Sequence, residues 1–320
     1  MTAQILQLGR LLPALEQALR DEFRVHRLVD EADQTAFLRE RGADFTGLVG
    51  SAGIGASAEM MAALPSLRVI SSFGVGLDKI DLAAAAARGI AVGYTPDVLN
   101  DCVADLAITL MLDVARRSVE ADRFVRAGGW EAGGPNSFGL GRKVSGAKLG
   151  IVGLGRIGQT IARRVVGFDM QVRYHARRPV ADAPWTYEPS LLELAAWCDY
   201  LVVIVAGGPA TRHLINAEVL DALGPRGVLV NVARGSVVDE QALVQALQQG
   251  RIAGAGLDVF EAEPRVPAAL MQLDRVVLLP HIASNTQETR QAMAERVLDN
   301  LRGFFRDGRL VSAAPLPAAA

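Results

Sequence analysis

One pattern constrains this chain more than any other: the hexapeptide Gly153-Leu154-Gly155-Arg156-Ile157-Gly158, with the apolar run LGIV before it and the helix-like RIGQTIARRVVGF after it. G-x-G-x-x-G alone is a weak signal in a chain with 32 glycines among 320 residues. A strand before it and a helix after it make it specific, because each glycine then has its own task. Gly153 permits the tight turn, Gly155 lets backbone approach a pyrophosphate, and Gly158 lets helix and strand pack closely. The unpaired N–H groups of the helix N-terminus then meet the anion. The pattern predicts an α/β unit that holds a dinucleotide.

The rest of the chain fits that frame. AQILQLG, FRVHRLV and GLVGSAG read as strands, separated by helical stretches near residues 11–22 and 32–41. Residues 59–64 and 82–88 continue as helices, and 67–71 and 90–92 as strands, which is the rhythm of a parallel sheet covered on both faces. Pro96 in YTPDV disfavours helix at Thr95 and closes this first unit. Apolar residues at helical spacing predict one long helix over 101–126, followed by a glycine-rich extended loop over 127–146 carrying Trp130. A second βαβ series runs from KLGIVGLGRIG to LLPHIAS near residue 284. Residues 286–305 read as a last amphipathic helix, and the Pro/Ala tail as loose chain. The fold class is α/β: two doubly wound, parallel-sheet (Rossmann-like) domains.

Composition narrows the partners. A net charge of −2 argues against a nucleic-acid partner, which demands a basic excess. Only Lys79, Lys143 and Lys148 are lysines among 33 basic residues, and the arginines are spread along the whole chain, the pattern of a solvated surface. Cys102 and Cys198 lie in apolar, helix-like stretches without ligand spacing, so both read as buried thiols and no metal is expected. No leader pattern and no run of about 20 apolar residues is present, so the expectation is a cytoplasmic protein without a membrane partner.

The strand after the glycine turn, QVRYHARR, ends where a dinucleotide fold places its ribose selector. An acidic residue there would favour a free 2′-hydroxyl. This chain has Ala176, Arg177 and Arg178, and paired guanidinium groups can grip a 2′-phosphate, so NADPH is the expected cofactor, with NADH possible. A hydride acceptor such as a keto acid also needs a cation for its carboxylate and an acid for its carbonyl oxygen. Among His26, His175, His213 (at the start of a helix, TRHLI) and His281, only His281 follows a strong apolar strand (RVVLLP) at the carboxyl edge of the second sheet, where open α/β sheets bind ligands. Arg234, after GVLVNVA, and Glu263, after AGAGLDVF, occupy matching places. A carboxylate beside His281 keeps the imidazole charged and ready to donate.

Together, LGIVGLGRIG, VNVARGSVVDE, GLDVFEAEP, LLPHIAS and TPDVLNDCVADLAITLML make the chain resemble the D-isomer-specific 2-hydroxyacid dehydrogenases over essentially its full length. FGVGLDKID and LDALGPRGVLVNVARG are most similar to the NADPH-preferring glyoxylate/hydroxypyruvate and hydroxyphenylpyruvate reductases of that family. The resemblance implies that Arg234 binds the carboxylate and keto oxygen, that His281 donates the proton, and that Glu263 is its partner. It further implies that Asp258 orients the nicotinamide, that Val232 lies with the glycine turn among the cofactor contacts, and that Val75 and Gly76 offer backbone N–H groups to the carboxylate. Residues 1–98 plus 287–320 would form the substrate domain, completed by the C-terminal helix, and 99–286 the dinucleotide-binding domain, in a homodimer. Two stretches depart from the family pattern: Ala176 replaces a residue that is often polar in NADP-preferring relatives, and AGGPATRH at 206–213 leaves Thr211 without a firm cofactor role. Reduction of hydroxyphenylpyruvate or 2-ketogluconate is the alternative within the family. A dinucleotide-sensing co-repressor reuses such a fold without needing Arg, Glu and His together.

Overall fold

The computed structural model describes residues 3–317. The chain divides into two compact units, one ending at Leu99 and resuming at Thr286, the other Asn100–Asn285.

The first unit is built on five strands, β1 (Gln4–Gln7), β2 (Arg24–Arg27), β3 (Gly47–Ser51), β4 (Val69–Phe73) and β5 (Ala91–Gly93). They form a parallel sheet in the order β2-β1-β3-β4-β5. Leu6, Leu48, Ile70 and Val92 supply its core, each worth about 1.5–3 kcal/mol of burial. The helix Gln287–Asp307 begins at Thr286, whose side chain accepts the Thr289 N–H, and stops at Gly308 in the left-handed region (φ 75°). It lies on the central strands, where the Ser71 hydroxyl donates to the Val297 carbonyl at 3.1 Å. As far as residue 317 the chain beyond it is docked, not loose, and the last three residues of the Pro/Ala tail lie outside the described residues. Ser312 and Ala314 are buried, the Ala314 N–H donates to Val92 O at 2.7 Å, and buried Asn300 accepts the Ser312 N–H at 2.9 Å. Pro and Ala hide this from composition, because the docking is made by backbone groups.

The second unit holds β6 (Lys148–Val152), β7 (Gln171–His175), β8 (Thr186–Tyr187), β9 (Tyr200–Val203), β10 (Val228–Asn231), β11 (Gly254–Leu257) and β12 (Val276–Leu278). The sheet is parallel throughout, in the order β12-β11-β10-β9-β6-β7-β8. Its switch point lies between β6 and β9. Strands buried on both faces read as continuous apolar runs, as in Leu201, Val203 and Leu229. The small residues of AGAGL have a packing cause. A Cβ at Gly256 would come within 2.9 Å of Leu110 Cβ, and one at Gly254 within 2.9 Å of Val114 Cγ1, so the helix Asn100–Arg116 sits directly on the sheet.

Three local expectations are corrected. The helix expected over 101–126 breaks at Arg117, which is left-handed (φ 56°), giving Asn100–Arg116 and Ser118–Arg126. Apolar spacing continues across the break, but the Ala115 carbonyl accepts the Arg142 N–H at 2.7 Å, a tertiary bond that spacing cannot register. The segment expected as extended loop contains one helical turn, Gly129–Gly133. Of the two thiols, Cys198 is buried and Cys102 only partly so. Cys198 ends the helix Leu191–Trp197 rather than lying within it, and burial pushes its thiol up to about 12.

Candidate active site at the carboxyl edge of the seven-stranded sheet

The last residues of six strands form one row in register: His175, Val152, Val203, Asn231, Leu257 and Leu278. The ladder extends one step beyond it. Gly153 donates to His175 O at 2.9 Å, Asp258 to Asn231 O at 3.0 Å and Leu279 to Leu257 O at 2.8 Å. Everything that follows these residues therefore leaves the same edge of the sheet. Gly153 and Leu154 follow β6, Arg177 and Arg178 follow β7, and Val232 and Arg234 follow β10. Asp258 and Glu263 follow β11, and His281 follows β12.

The glycine turn has the shape its spacing predicts. Gly153 has φ 103°, and a Cβ there would fall 2.9 Å from the Ile204 carbonyl oxygen. A Cβ on Gly158 would fall 2.1 Å from the Gly153 carbonyl oxygen, so the helix Arg156–Arg164 packs backbone to backbone on the turn. Gly155 differs: its built Cβ meets nothing within 4 Å. Only there is the absence of a side chain unexplained by the protein itself, which suits a ligand's close approach. That open cradle at a helix N-terminus fits a pyrophosphate. Leu154 is buried, and Arg156 and Ile157 open the helix.

Arg177 and Arg178 are exposed, and among the described residues neither takes part in an ion pair. Val232 is buried, and its N–H extends the ladder to Val203 O at 3.3 Å. Thr211 spends its hydroxyl on Ala206 O at 2.7 Å, inside its own loop. Val75 and Gly76 follow β4 in the first unit and are partly exposed. Gly74, before them, has φ 146° and donates its N–H to the Thr95 hydroxyl at 3.1 Å.

Arg234 sits on a turn fastened from several sides. Asn231, buried, donates through Nδ2 to the Arg234 carbonyl at 3.0 Å and accepts the Ala233 N–H at 3.0 Å. His213 donates its N–H to Ser236 O at 2.8 Å and Ile215 to Val237 O at 3.0 Å, zipping a neighbouring loop along the turn. His213 is therefore in a left-handed loop position (φ 49°), not the helix start expected for TRHLI.

Glu263 accepts the Phe260 N–H at 3.1 Å through Oε1, and its Oε2 lies 2.8 Å from His281 Nδ1. Burial raises the Glu263 pKa, but the His281 and Phe260 hydrogen bonds and the charges of His281 and Arg234 outweigh it, and the net shift is downward. An ionised carboxylate only accepts, so His281 Nδ1 carries the donated proton and Nε2 is the end left for a ligand. Pairing with an acid does not single out His281, because His26 contacts Glu31 at 2.8 Å and His213 contacts Glu261 at 3.1 Å. Its place does: His281 alone of the three follows a strand end in the row at this sheet edge, three residues after β12, where its N–H donates to Asp258 O at 2.9 Å.

Asp258 is fully buried, and both carboxylate oxygens accept backbone N–H groups, from Ile282 at 2.7 Å and Ala283 at 2.9 Å. Burial raises its pKa further than those bonds and His281 lower it. Whatever else it meets, Asp258 clamps the chain just after His281. Sequence motifs give no sign of this or of the task of Asn231, whereas Gly235, whose built Cβ would fall 1.8 Å from the Phe260 carbonyl carbon, is marked as a glycine directly after a candidate anchor.

Residues 108–283 match the family model of the D-isomer specific 2-hydroxyacid dehydrogenase NAD binding domain. The chain is 49% identical to a hydroxyphenylpyruvate reductase of Plectranthus scutellarioides, over 91% of this chain and 92% of that one. It is 45% identical to a glyoxylate/hydroxypyruvate reductase of Arabidopsis thaliana, over 93% and 94%. The crystal structure of an NADPH-dependent glyoxylate/hydroxypyruvate reductase from Sinorhizobium meliloti, in complex with NADP and malonate, superposes with a TM-score of 0.92 at 44% identity, covering 98% and 97%. No described helix is long and apolar enough to cross a membrane. With the strand-edge residues in this arrangement and the likeness running the length of the chain, the protein belongs to the D-isomer-specific 2-hydroxyacid dehydrogenases, oxidoreductases of the 2-hydroxy acid/2-keto acid couple that bind a nicotinamide dinucleotide.

Proposed function

We propose that the protein reduces a small 2-keto acid, glyoxylate or hydroxypyruvate, to the D-2-hydroxy acid with NADPH as preferred cofactor. The observation that carries this is the 2.8 Å pair between His281 Nδ1 and Glu263 Oε2 at the end of β12 and β11, with Arg234 at the end of β10 beside it. The bound dinucleotide supplies the hydride. Gly153, Leu154, Gly155, Arg156, Ile157 and Gly158 would hold its pyrophosphate, Arg177 and Arg178 would take a 2′-phosphate, and Val232 and Asp258 would serve the nicotinamide end. Arg234 holds the substrate carboxylate and keto oxygen. His281 holds a proton at Nε2 and passes it to the keto oxygen as negative charge develops there. Glu263 fixes the ring through Nδ1 and favours its charged form until that transfer.

In this reading residues 99–286 are the dinucleotide domain, 1–98 with 287–320 the substrate domain, and the active form a cytoplasmic homodimer, which sedimentation equilibrium tests. The substrate is tested by kcat/KM for glyoxylate, hydroxypyruvate, pyruvate, hydroxyphenylpyruvate and 2-ketogluconate with NADPH. Hydroxypyruvate or glyoxylate should exceed pyruvate, hydroxypyruvate because a polar partner for its added hydroxyl is left unpaired by a methyl group. The 49% identity to a hydroxyphenylpyruvate reductase supports a second reading. A clear lead for the aromatic or the sugar-derived acid would replace the first.

A further inference from the structure

Arg234 and Glu263 leave different strands, yet their loops are docked on each other through backbone. A Cβ on Gly235 would fall 1.8 Å from the carbonyl carbon of Phe260 and 2.3 Å from the amide nitrogen of Glu261. No side chain fits there. Five residues on, Glu240 opens the helix Glu240–Gln248, and its Oε1 accepts the Glu261 N–H at 2.7 Å. The Glu261 side chain reaches other partners, Arg212 at 2.6 Å and His213 Nε2 at 3.1 Å. Two residues further, Glu263 takes the Phe260 N–H and the His281 ring.

The segment Glu261, Ala262, Glu263, Pro264 and Arg265 is exposed at every position, so no apolar side chain anchors it between Phe260 and Val266. Its conformation has to come from hydrogen bonds to fixed neighbours. The Phe260–Glu263 and Ala262–Arg265 bonds are local to it and the Glu261 side chain pairs with Arg212 and His213, so among the described residues the bond to Glu240 is the one that ties its backbone to a helix. Glu240 is an expensive way to make that tie. Burial raises its pKa, and the Glu261 and Glu263 carboxylates push the same way against the Glu261 N–H and His213. Asp239, next to it, already caps the helix by accepting the Ala242 N–H at 3.0 Å, so helix capping does not explain Glu240.

We infer that Glu240 is a positioning residue for the proton-transfer pair: by accepting the Glu261 N–H against the Gly235 dock, it fixes the loop that presents Glu263 to His281. This rests on the assignment of His281 and Glu263 proposed above. Glu240 acts through Glu263, so its removal displaces the carboxylate without removing it. A displacement of the order of an ångström is enough to cost roughly a hundredfold in a positioned reaction.

The test compares Glu240→Ala with Glu240→Gln, which keeps an oxygen acceptor for the Glu261 N–H. For each, kcat and KM for the preferred keto acid are measured across pH, with NADPH affinity by calorimetry. Glu240→Ala should lose at least about tenfold in kcat, with NADPH affinity within about twofold of the parent. Its alkaline limb should move to lower pH, the direction expected for Glu263→Gln. Glu240→Gln should restore most of the lost kcat. Should the alanine variant not accumulate, Glu240→Asp, which withdraws the acceptor by one methylene, takes its place with the same expected direction. A parental kcat and an unmoved limb in Glu240→Ala overturn the inference. So does a glutamine variant as impaired as the alanine one, or a joint loss of NADPH affinity and kcat. His281→Ala and Glu263→Gln are assayed alongside. If they remain fully active, the assignment of the acid fails and this inference with it, whereas if only Glu240→Ala is active the inference fails alone.

Discussion

After β10, β11 and β12 the chain is fastened by buried polar groups: Asn231 under Arg234, Asp258 under His281, and the Gly235 dock beneath the Glu263 loop. After β7, on the other side of the same sheet edge, Arg177 and Arg178 stand exposed, without an ion pair among the described residues. The two regions are asked for different accuracies. Proton transfer depends on distances good to a fraction of an ångström, and groups that must be placed so are held by satisfied buried bonds. Gripping a phosphate needs charge within reach, and a long side chain finds its geometry when the anion arrives. The fastened side should therefore be intolerant of change in both activity and stability, the open side in cofactor choice alone.

His281→Ala should produce the largest effect, a loss of about 10²–10⁴ in kcat, with NADPH affinity kept. Single-turnover reduction alongside NADPH titration checks it, and parental turnover would remove His281 from the mechanism. Asn231→Ala should come next, because it takes the acceptor from the Ala233 N–H and removes one of two donors to the Arg234 carbonyl, which keeps the Val237 N–H at 3.2 Å. A destabilisation of about 1–3 kcal/mol is expected, read by urea unfolding, with a several-fold rise in keto-acid KM. A variant as stable as the parent would break the contrast from the fastened side. The double replacement Arg177→Ala with Arg178→Ala should cost about tenfold in the preference for NADPH over NADH, some 1.4 kcal/mol. Turnover with NADH should persist, and stability should stay within about 0.5 kcal/mol. A parent enzyme indifferent between the two cofactors would break it from the open side.

The same asymmetry decides what could be read from sequence. The glycine turn, the strand runs and the edge positions of Arg234, Glu263 and His281 were legible because each is a local pattern: a periodicity, a spacing, or a polar residue just after an apolar run. The clamps were not. The resemblance marks Asp258 as a cofactor contact, but no local sign shows that its two oxygens also accept the Ile282 and Ala283 N–H groups, 24 and 25 residues away. The break at Arg117 and the docking of Ser312 and Ala314 are likewise settled by backbone bonds to distant segments. No local window contains both partners of such a bond.

Proton donation by His281, held by Glu263, is the step on which the proposed reduction depends. Its most direct test is the rate of keto-acid reduction against pH, for the parent and for Glu263→Gln. The pKa of Glu263 is lowered, chiefly by His281 acting against burial. Its carboxylate therefore stays ionised below the usual carboxylate range, and the pair loses that charge only as pH falls through the lowered value. Across neutral pH the parent keeps an anion 2.8 Å from His281 Nδ1, and the glutamine variant keeps the shape without the charge. Reduction needs the imidazolium, so removing the anion should move the alkaline limb of kcat to lower pH while the plateau at acid pH falls less. An alkaline limb at the same pH in both proteins would contradict the account.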